Sequence, residues 1–250
     1  MLRTRVIPIV LLSGYSVLKT IKFDERRNLG NPITIARIYN TRNVDELVLL
    51  DIDASKQKRA IDFFTIQDIA SECFMPLTVG GGIRKIEDIR NLLKRGADKI
   101  SINTYALENP DFISESAAIF GSQCIVVSID LKKGPDGYFI YSSIDNETTK
   151  LNPIEWCKKC EELGAGELLV NFVDLDGTMA GVAHDYINQI ANAINIPLIA
   201  SGGVAVPEDA VKIAKAGASG VGISSIFHFT NYTPLDCKIA MNAAGILVKI

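Results

Sequence analysis

The chain contains few of the residues on which metal and disulfide chemistry depends. Its 250 residues include two histidines and five cysteines, and the cysteines are dispersed and odd in number. Such a set argues against a disulfide framework, and neither His184 nor His228 lies in a ligand motif. Cys157 and Cys160 form a CxxC inside a helical pattern, without a second pair or a nearby histidine. We therefore expect no metal and no cofactor, and we interpret these two thiols as small apolar groups on a helix face.

Long apolar runs and an excess of one charge are absent as well. No apolar stretch approaches the length that crosses a membrane, and the run "VIPIVLL" at 6–12 fits a buried strand better than a signal segment. The net charge of −3 gives no overall attraction for nucleic acid. These absences favour a cytoplasmic protein that binds neither nucleic acid nor membranes. A hydrophobic content of 48% is sufficient for a large core.

Strand-like and helix-like segments alternate strictly along the chain. The predicted strands are 6–11, 46–52, 76–79, 99–103, 124–130, 167–174, 197–201 and 220–224. Helices are predicted near 32–42, 57–72, 85–95, 110–120, 153–163, 184–194, 207–216 and 234–245. Eight such units predict an α/β fold with a parallel sheet closed into a (β/α)8 TIM barrel, a single domain over 1–250. The competing fold is an open, doubly wound sheet. A hairpin is predicted after strand five, over 132–150, because "GPDG" at 134–137 is a turn signal.

The two halves of the sequence resemble each other. The stretch "MPLTVGGGIRKIEDIRNLLKRGADKISINTYAL" at 75–107 aligns without a gap with "IPLIASGGVAVPEDAVKIAKAGASGVGISSIFH" at 196–228. This alignment pairs Gly82 with Gly203 and Thr104 with Ser225. The repeat predicts a barrel made of two similar half-barrels, about 1–122 and 123–250.

A glycine-rich loop occurs once in each half. The first phosphate loop, "VGGGIRKIED" at 79–88, and the second phosphate loop, "ASGGVAVPED" at 200–209, each follow a strand and precede a helix. Glycine allows close approach of the backbone to an anion, and the helix start offers free N–H groups and a positive dipole. The candidate phosphate-binding residues are Gly82, Asn103, Thr104, Asp176, Gly177, Gly203, Ser224 and Ser225. The alternative is that the glycines only form tight turns. The duplication favours an elongated, phosphorylated small molecule with a phosphate at each end.

Four charged residues lie at the starts of predicted strands. They are Arg5, Glu46, Lys99 and Glu167, at strands one, two, four and six. Strand starts form the bottom of such a barrel, away from the chemistry at the top. Because a buried charge needs a partner, two cations and two anions there are expected to form a ring of ion pairs. The residues alone leave open whether this ring is a structural plug or a gate to an axial passage.

Taken together, the motifs resemble the HisF family, the cyclase subunit of imidazole glycerol phosphate synthase. The resemblance runs the whole length and includes "RVIP", "TVGGGIR", "RGADKISINT", "FGSQCIVVSID" and "GAGELLVNFVDLDGT". It implies a barrel that docks a HisH-like glutaminase at its bottom face, as a heterodimer, and passes ammonia to a phosphate-anchored substrate at the top. It further implies that the four bottom charges form the gate and that the two phosphate loops bind the substrate. By the same resemblance, Asp98 and Gln123 belong to the glutaminase interface.

The end of the first strand departs from the family pattern. The family uses two aspartates as acid and base; Asp130 matches the one on strand five, whereas Leu11 occupies the other position. The alignment has no gap from Arg5 to Lys19, and Leu11 cannot exchange protons. Loss of one partner of an acid/base pair typically removes ~10²–10⁴-fold of rate. Cyclase activity, the lyase reaction of the family, is therefore expected to be reduced or lost.

Other residues of the predicted active site have two interpretations each. Asp130 acts either in catalysis or as a hydrogen-bonding group inside the barrel. Lys19 either folds a loop over an anion or is only exposed to solvent. Asp51 and Asp176 are the acids that could substitute for the missing aspartate, each from another strand.

The N-terminal sequence looks most like a paralogue branch of the family. That branch works with a HisH-like glutaminase and a separate amidotransferase to convert an N-acetyl group on a surface-polysaccharide sugar, as in O-antigen of lipopolysaccharide, to an acetamidino group. The resemblance thus implies a barrel that mainly delivers ammonia. Two alternatives stay open: a working cyclase of histidine biosynthesis that acts on a bisphosphate ribonucleotide, and a non-catalytic scaffold that activates a glutaminase.

Overall fold

A computed structural model describes residues 3–250 of the chain. The first half comprises β1 (Arg5–Ser13), β2 (Ser16–Ile21), β3 (Glu25–Gly30), α1 (Pro32–Thr41), β4 (Leu47–Asp51), α2 (Phe63–Ala70), β5 (Leu77–Gly80), α3 (Ile86–Lys94), β6 (Lys99–Ile102), α4 (Thr104–Glu108) and α5 (Asp111–Phe120). The second comprises a 3₁₀ turn (Ser122–Cys124), β7 (Ile125–Gly134), β8 (Gly137–Ser142), β9 (Glu147–Thr148), α6 (Pro153–Glu162), β10 (Glu167–Phe172), α7 (His184–Ala193), β11 (Leu198–Ser201), α8 (Pro207–Lys215), β12 (Gly220–Ile223), α9 (Ser225–Phe229) and α10 (Pro234–Ala243).

Eight parallel strands close into a barrel. β1 pairs with β4 on one side and with β12 on the other, and the ring continues through β5, β6, β7, β10 and β11. The pairing of β10 with β7 completes the circle, so the barrel strands leave no open edge. The predicted (β/α)8 barrel is therefore confirmed, and the doubly wound sheet is excluded.

Two hairpins extend from the top of the barrel. The predicted one after strand five is confirmed: β7 pairs antiparallel with β8, and Gly134 faces Gly137 across the turn. The other, β2–β3, follows β1 and was not predicted. Its turn is formed by Lys22 and Phe23, whose φ values of 53° and 63° lie in the left-handed region that usually requires glycine or asparagine. No sequence signal therefore marked this turn.

The helices differ from the predictions mainly at their ends and in two additions. Helix α2 begins at Phe63, later than the predicted residue 57, because Asp62 caps it by accepting a hydrogen bond from Phe64 N at 3.0 Å. The short helices α4 and α9 follow β6 and β12 and had not been predicted. Both thiols of the CxxC are buried on α6, as expected. No helix within residues 3–250 combines the length and apolar character needed to cross a bilayer.

The barrel interior is layered. Because side chains alternate along a strand, Arg5, Ile7, Ile9 and Leu11 of β1 all point inward. The apolar ones join a small cluster whose members are Ile7, Ile9, Leu11, Val48, Val126, Leu169 and Ile199. A larger cluster fills the space between the barrel and the surrounding helices. The interior therefore has charges at the bottom, hydrocarbon in the middle and polar groups at the top.

Candidate functional site

The predicted residues of the top face line a single pocket. The pocket has a volume of about 160 Å³ and opens at the carboxyl ends of the strands. Its lining includes Leu11, Lys19, Gly82, Asn103, Thr104, Asp130, Asp176, Gly177, Gly203, Ser224 and Ser225. The fold thus brings together every top-face residue proposed from the sequence; their roles stay predictions.

Both phosphate loops need glycine for reasons of backbone packing. Gly82 and Gly203 have φ values of 65° and 89°. A Cβ atom would lie 2.3 Å from the carbonyl oxygen of Arg59 at Gly82, and 1.8 Å from that of Gly181 at Gly203. Both positions therefore exclude any side chain. A bulky substitution at Gly203 would deform the loop itself, so Ser225 is the better position at which to test anion binding.

Each helix that follows a phosphate loop has an aspartate in its first turn that binds the backbone N–H groups of the two residues before the helix. At α3, the carboxylate of Asp88 accepts hydrogen bonds from Arg84 N at 3.1 Å and Lys85 N at 3.0 Å. At α8, Asp209 accepts from Ala205 N at 2.9 Å and Val206 N at 3.3 Å. Each helix is thus capped by its own aspartate.

The two short helices that had not been predicted, α4 and α9, also begin at the pocket, and their ends carry no side-chain cap. Helix α4 begins at Thr104 and α9 at Ser225, and the residues before them, Asn103 and Ser224, form no side-chain cap. Asn103 and Ser224 also share nearly the same unusual backbone conformation, with φ of −125° and −137° and ψ of −87° and −71°. The equivalent positions of the sequence repeat therefore have equivalent geometry.

Asp130 lies buried in the top layer between two amides. Its carboxylate accepts hydrogen bonds from Asn103 Nδ2 at 2.7 Å and from Asn171 Nδ2 at 2.9 Å. Burial raises the pKa of Asp130 to about 6, while the hydrogen bonds from Asn171 and Asn103 act in the opposite direction. A carboxyl group with this pKa exchanges protons close to neutral pH, which is the property required of a general acid or base.

This pKa predicts a specific pH dependence of stability. The native pKa of Asp130, about 6, lies above the ordinary value of 3.8, so the folded chain binds more protons than the unfolded chain between the two values. The free energy of unfolding therefore falls as the pH rises through this window, by about 3 kcal/mol in total. Urea titrations measure the free energy of unfolding of Asp130→Asn and of the unchanged chain. Relative to the unchanged chain, the variant should become more stable from about pH 4 to about pH 7. Asp185→Asn, on the surface of α7, is the control; parallel curves for Asp130→Asn would contradict the prediction.

Leu11 packs among apolar side chains. Its side chain is 9% exposed, and the partly buried Leu50 and Ile52 pack against the cluster to which it belongs. The two acids proposed as substitutes are already bound. Asp51 is held by Arg59, with the Nη1–Oδ2 distance at 2.7 Å, and Asp176 is bound by a lysine. Neither is therefore a free replacement for the missing aspartate.

The β2–β3 hairpin is fixed over the pocket by two ion pairs. Lys19 is 2% exposed, and its Nζ lies 2.7 and 2.9 Å from the two carboxylate oxygens of Asp176. The alternative that Lys19 is only exposed to solvent is therefore wrong. On the other side, Arg26 Nη2 lies 2.7 Å from Asp53 Oδ1. The Arg26–Asp53 pair was not predicted, because it depends on a hairpin that no sequence pattern indicated.

The four charged residues at the strand starts form a closed ring, called here the charged ring. Arg5 pairs with Glu46 at 2.7 Å and with Glu167, and Lys99 pairs with Glu167 at 2.8 Å and Glu46 at 3.1 Å. Thr78 Oγ1 donates a further hydrogen bond to Glu46 Oε1 at 2.7 Å. Because each charge has two opposite partners, the ring neutralises itself.

The surface around the ring carries one residue that sequence reasoning missed. Asp98 and Gln123, the predicted interface residues, are both exposed at the bottom face. Phe74 lies in the loop before β5, at the same face, and is 81% exposed. Exposed aromatic side chains at such a face are typical anchors of protein interfaces. Nothing in the local sequence distinguishes this phenylalanine from a core residue.

Comparisons with known proteins identify relatives over the whole length of the chain. The family described as histidine biosynthesis protein matches residues 5–233. A protein of Campylobacter jejuni with the provisional name imidazole glycerol phosphate synthase subunit hisF2 is 46% identical over 250 residues, and both chains are covered completely. The imidazole glycerol phosphate synthase subunit HisF of Petrotoga mobilis is 41% identical, again over the whole of both chains.

Proposed function

Since the chain belongs to the histidine biosynthesis protein family and is HisF-like, we propose that it is the synthase subunit of a cytoplasmic glutamine amidotransferase complex. A HisH-like glutaminase docks at the bottom face and releases ammonia beneath the charged ring. The barrel then conducts ammonia to the pocket at the top. The observation that carries this proposal is the intact ring of Arg5, Glu46, Lys99 and Glu167, together with exposed interface residues around it.

The ammonia acceptor is the second part of the proposal. We propose that a separate amidotransferase uses the ammonia to convert an N-acetyl group of a surface-polysaccharide sugar to an acetamidino group. Leu11 supports this choice, because delivery of ammonia does not require an acid/base pair in the barrel whereas ring closure does. The chain is similar to HisF proteins, and its first strand ends in Leu11 instead of an acid. Both facts are consistent with a barrel that retained the charged ring and lost part of the cyclase chemistry.

A working cyclase of histidine biosynthesis is the second candidate. The convergence of Asp130 and all predicted phosphate-binding residues on one pocket favours it. Expression of the chain in a histidine auxotroph that lacks its own HisF separates the two. No growth is expected under the proposed function, and robust growth would favour the cyclase. The third candidate, a scaffold that only activates the glutaminase, requires no passage through the barrel.

Docking of the glutaminase provides a direct test of the proposed partner. Phe74→Ala is expected to weaken the complex with a HisH-like glutaminase by about 2 kcal/mol, which is about 30-fold in the dissociation constant, because exposed aromatic anchors dominate such interfaces. Isothermal titration calorimetry with the purified glutaminase measures the effect, and stimulation of glutamine hydrolysis by this chain is the accompanying activity readout.

The chain supplies a matched control for this experiment. Phe64 is 71% exposed but lies on helix α2 at the flank of the barrel. Phe64→Ala should therefore leave the affinity within about 2-fold, as expected for a surface residue outside the contact. If both variants lose the same affinity, or neither loses any, the bottom face is not the docking surface. If the unchanged chain neither binds nor stimulates a HisH-like glutaminase, the proposed function fails.

A further inference from the structure

The top layer of the barrel interior has a polar half and an apolar half. On the polar side, Asp130 of β7 is paired in register with Asn171 of β10, which is paired in turn with Ser201 of β11. On the apolar side, Leu11 of β1 is paired with Leu50 of β4. Because side chains at paired positions of parallel strands point the same way, the three polar ones form a row inside the barrel. The two leucines donate no hydrogen bonds, so the donors to Asp130 come from the polar half.

The side-chain amide of Asn171 connects this row. Its Nδ2 donates to Asp130 Oδ1 at 2.9 Å and to Ser128 Oγ at 3.2 Å, and its Oδ1 accepts a hydrogen bond from the hydroxyl of Ser201. Asn171 is 8% exposed, and Asp130 is 5% exposed. Both N–H hydrogens of the amide are thus used inside the protein, so neither is left to donate to a ligand. Any effect of Asn171 on a ligand therefore acts through Asp130.

The orientation of the Asn171 amide matches an ionised Asp130. In the opposite orientation, the carbonyl oxygen of Asn171 would face the carboxylate, and two acceptors without a hydrogen between them repel each other. The second carboxylate oxygen, Oδ2, accepts a hydrogen bond from Asn103 Nδ2 at 2.7 Å, so each oxygen has one amide donor. An ionised carboxylate has about four acceptor positions. The two amides therefore leave about two positions for a ligand and fix their direction.

The other titratable groups around Asp130 do not replace these amides. Burial has the largest effect on the pKa of Asp130 and raises it, and the nearby carboxylate of Asp176, which is bound to Lys19, raises it further. Tyr141 of β8 donates its hydroxyl hydrogen to Asn146 instead. Within residues 3–250, no cation lowers the pKa of Asp130, whereas the hydrogen bonds from the two amides do. The amides are therefore the groups that favour the ionised form.

We propose that Asn171 is the positioning residue of Asp130: it holds the carboxylate in its ionised form and fixes the direction in which the free acceptor positions face the pocket. Ser201 acts one step further away, because its hydroxyl binds the carbonyl oxygen of the same amide. Hydrogen bonds to a charged group are stronger than those between neutral groups, so loss of the Asn171 donor affects Asp130 more than loss of Ser201. The inference goes beyond the proposed function, since delivery of ammonia does not require an acid/base group.

The pKa of Asp130 in the full chain, measured by NMR of its carboxyl carbon, tests the inference. Asn171→Leu keeps nearly the same shape but removes the donor, and it is expected to raise this pKa by about 1 to 2 pH units. Asn171→Asp places a second carboxylate against the first, so one of the two should titrate at a still higher pH. Ser201→Ala leaves the donor in place and should raise the pKa by less than about 1 pH unit.

Ser101→Ala provides the matched control. Ser101 is buried inside the barrel on β6 and lines the same pocket, but within residues 3–250 no hydrogen bond joins it to Asp130. The variant should leave the pKa of Asp130 unchanged. Urea denaturation identifies the variants that are folded, and if Asn171→Leu is not, Asn171→Asp and Ser201→Ala decide the result.

An unchanged pKa of Asp130 in the folded variants of Asn171 and Ser201 would overturn the inference, because a purely structural role lowers stability without changing this pKa. An equal rise in Ser101→Ala would overturn it as well. The measurement uses the chain without glutaminase or substrate. Its failure is therefore distinct from failure of the proposed function, which is measured by stimulation of the glutaminase.

Discussion

With ammonia and the bisphosphate ribonucleotide of histidine biosynthesis as substrates, the chain is expected to close the imidazole ring ~10²–10⁴-fold more slowly than family members that have both aspartates. The reason is the environment of Leu11. Asp130 lies on one wall of the pocket with a pKa of about 6 and is ready to exchange a proton. The opposite strand end presents Leu11, backed by Leu50 and Ile52, and none of these exchanges protons. The second acid/base group that ring closure requires is therefore missing at this position.

Leu11→Asp is the variant that tests this explanation. The new carboxylate is expected to recover at least about 10-fold of the ring-closure rate, measured with saturating ammonia so that no glutaminase is needed. Burying it among apolar neighbours should cost a few kcal/mol of stability, on the order of 1–3 kcal/mol in proteins, which urea denaturation measures. Substrate turnover has to be compared at temperatures where both chains are folded.

Leu11→Asn separates proton exchange from polarity. Asparagine has nearly the shape of aspartate and forms hydrogen bonds, but it does not titrate. A higher ring-closure rate with aspartate but not with asparagine would support the explanation that an acid/base group is missing. Equal increases in rate would indicate that polarity alone limits the reaction. Ring closure by the unchanged chain at the rate of its two-aspartate relatives would refute the assignment of Leu11 as a loss of function.

The barrel itself was predictable because its signal is distributed over the whole chain. Eight alternating units imply closure, and the repeat places equivalent polar residues at equivalent strand ends. The features that were missed depend on single positions. The β2–β3 turn uses Lys22 and Phe23 at positive φ, and nothing in their identity announces this conformation. The boundary between half-barrels near residue 122 stays a prediction.

The site was predicted better in its composition than in its contacts. Lys19 lies on the β2–β3 hairpin, and its burial against Asp176 depends on that hairpin. Because the hairpin was not predicted, this contact could not be predicted either. The capped starts of α3 and α8 were in principle visible, since Asp88 and Asp209 occupy the third helical position, where a carboxylate reaches back to the backbone. Exposure of Phe74 depends on where a loop ends, which no local pattern encodes.

Reversal of one charge in the ring has the other large expected effect. In the complex with glutaminase and amidotransferase, Lys99→Glu is expected to reduce glutamine-dependent amidination by about 10²-fold, while amidination from added ammonium changes by only about 2- to 3-fold. Lys99 Nζ lies 2.8 Å from Glu167 and 3.1 Å from Glu46, which are 6% and 2% exposed. The variant places three carboxylates together in the floor with Arg5 as their remaining ring cation.

Three carboxylates around one arginine are not stable in the geometry of the charged ring. Breaking a buried ion pair by removal of one partner costs about 3–5 kcal/mol, so the floor is expected to rearrange around the excess negative charge. Ammonia released below then escapes to solvent instead of entering the barrel, but ammonium in solution still reaches the top from its open side. Because the two nitrogen sources share every later step, their ratio isolates passage through the floor.

Lys94→Glu is the control for reversal of a lysine outside the ring, since Lys94 lies on the surface at the end of α3. It should leave the ratio of glutamine-dependent to ammonium-dependent product unchanged.

Circular dichroism and urea denaturation establish that Lys99→Glu is folded under the assay conditions, and binding of the glutaminase is measured by calorimetry. Equal loss with both nitrogen sources would mean that the ring only supports the barrel. Retention of glutamine use would mean that ammonia reaches its acceptor without crossing the charged ring, which is the behaviour of a scaffold.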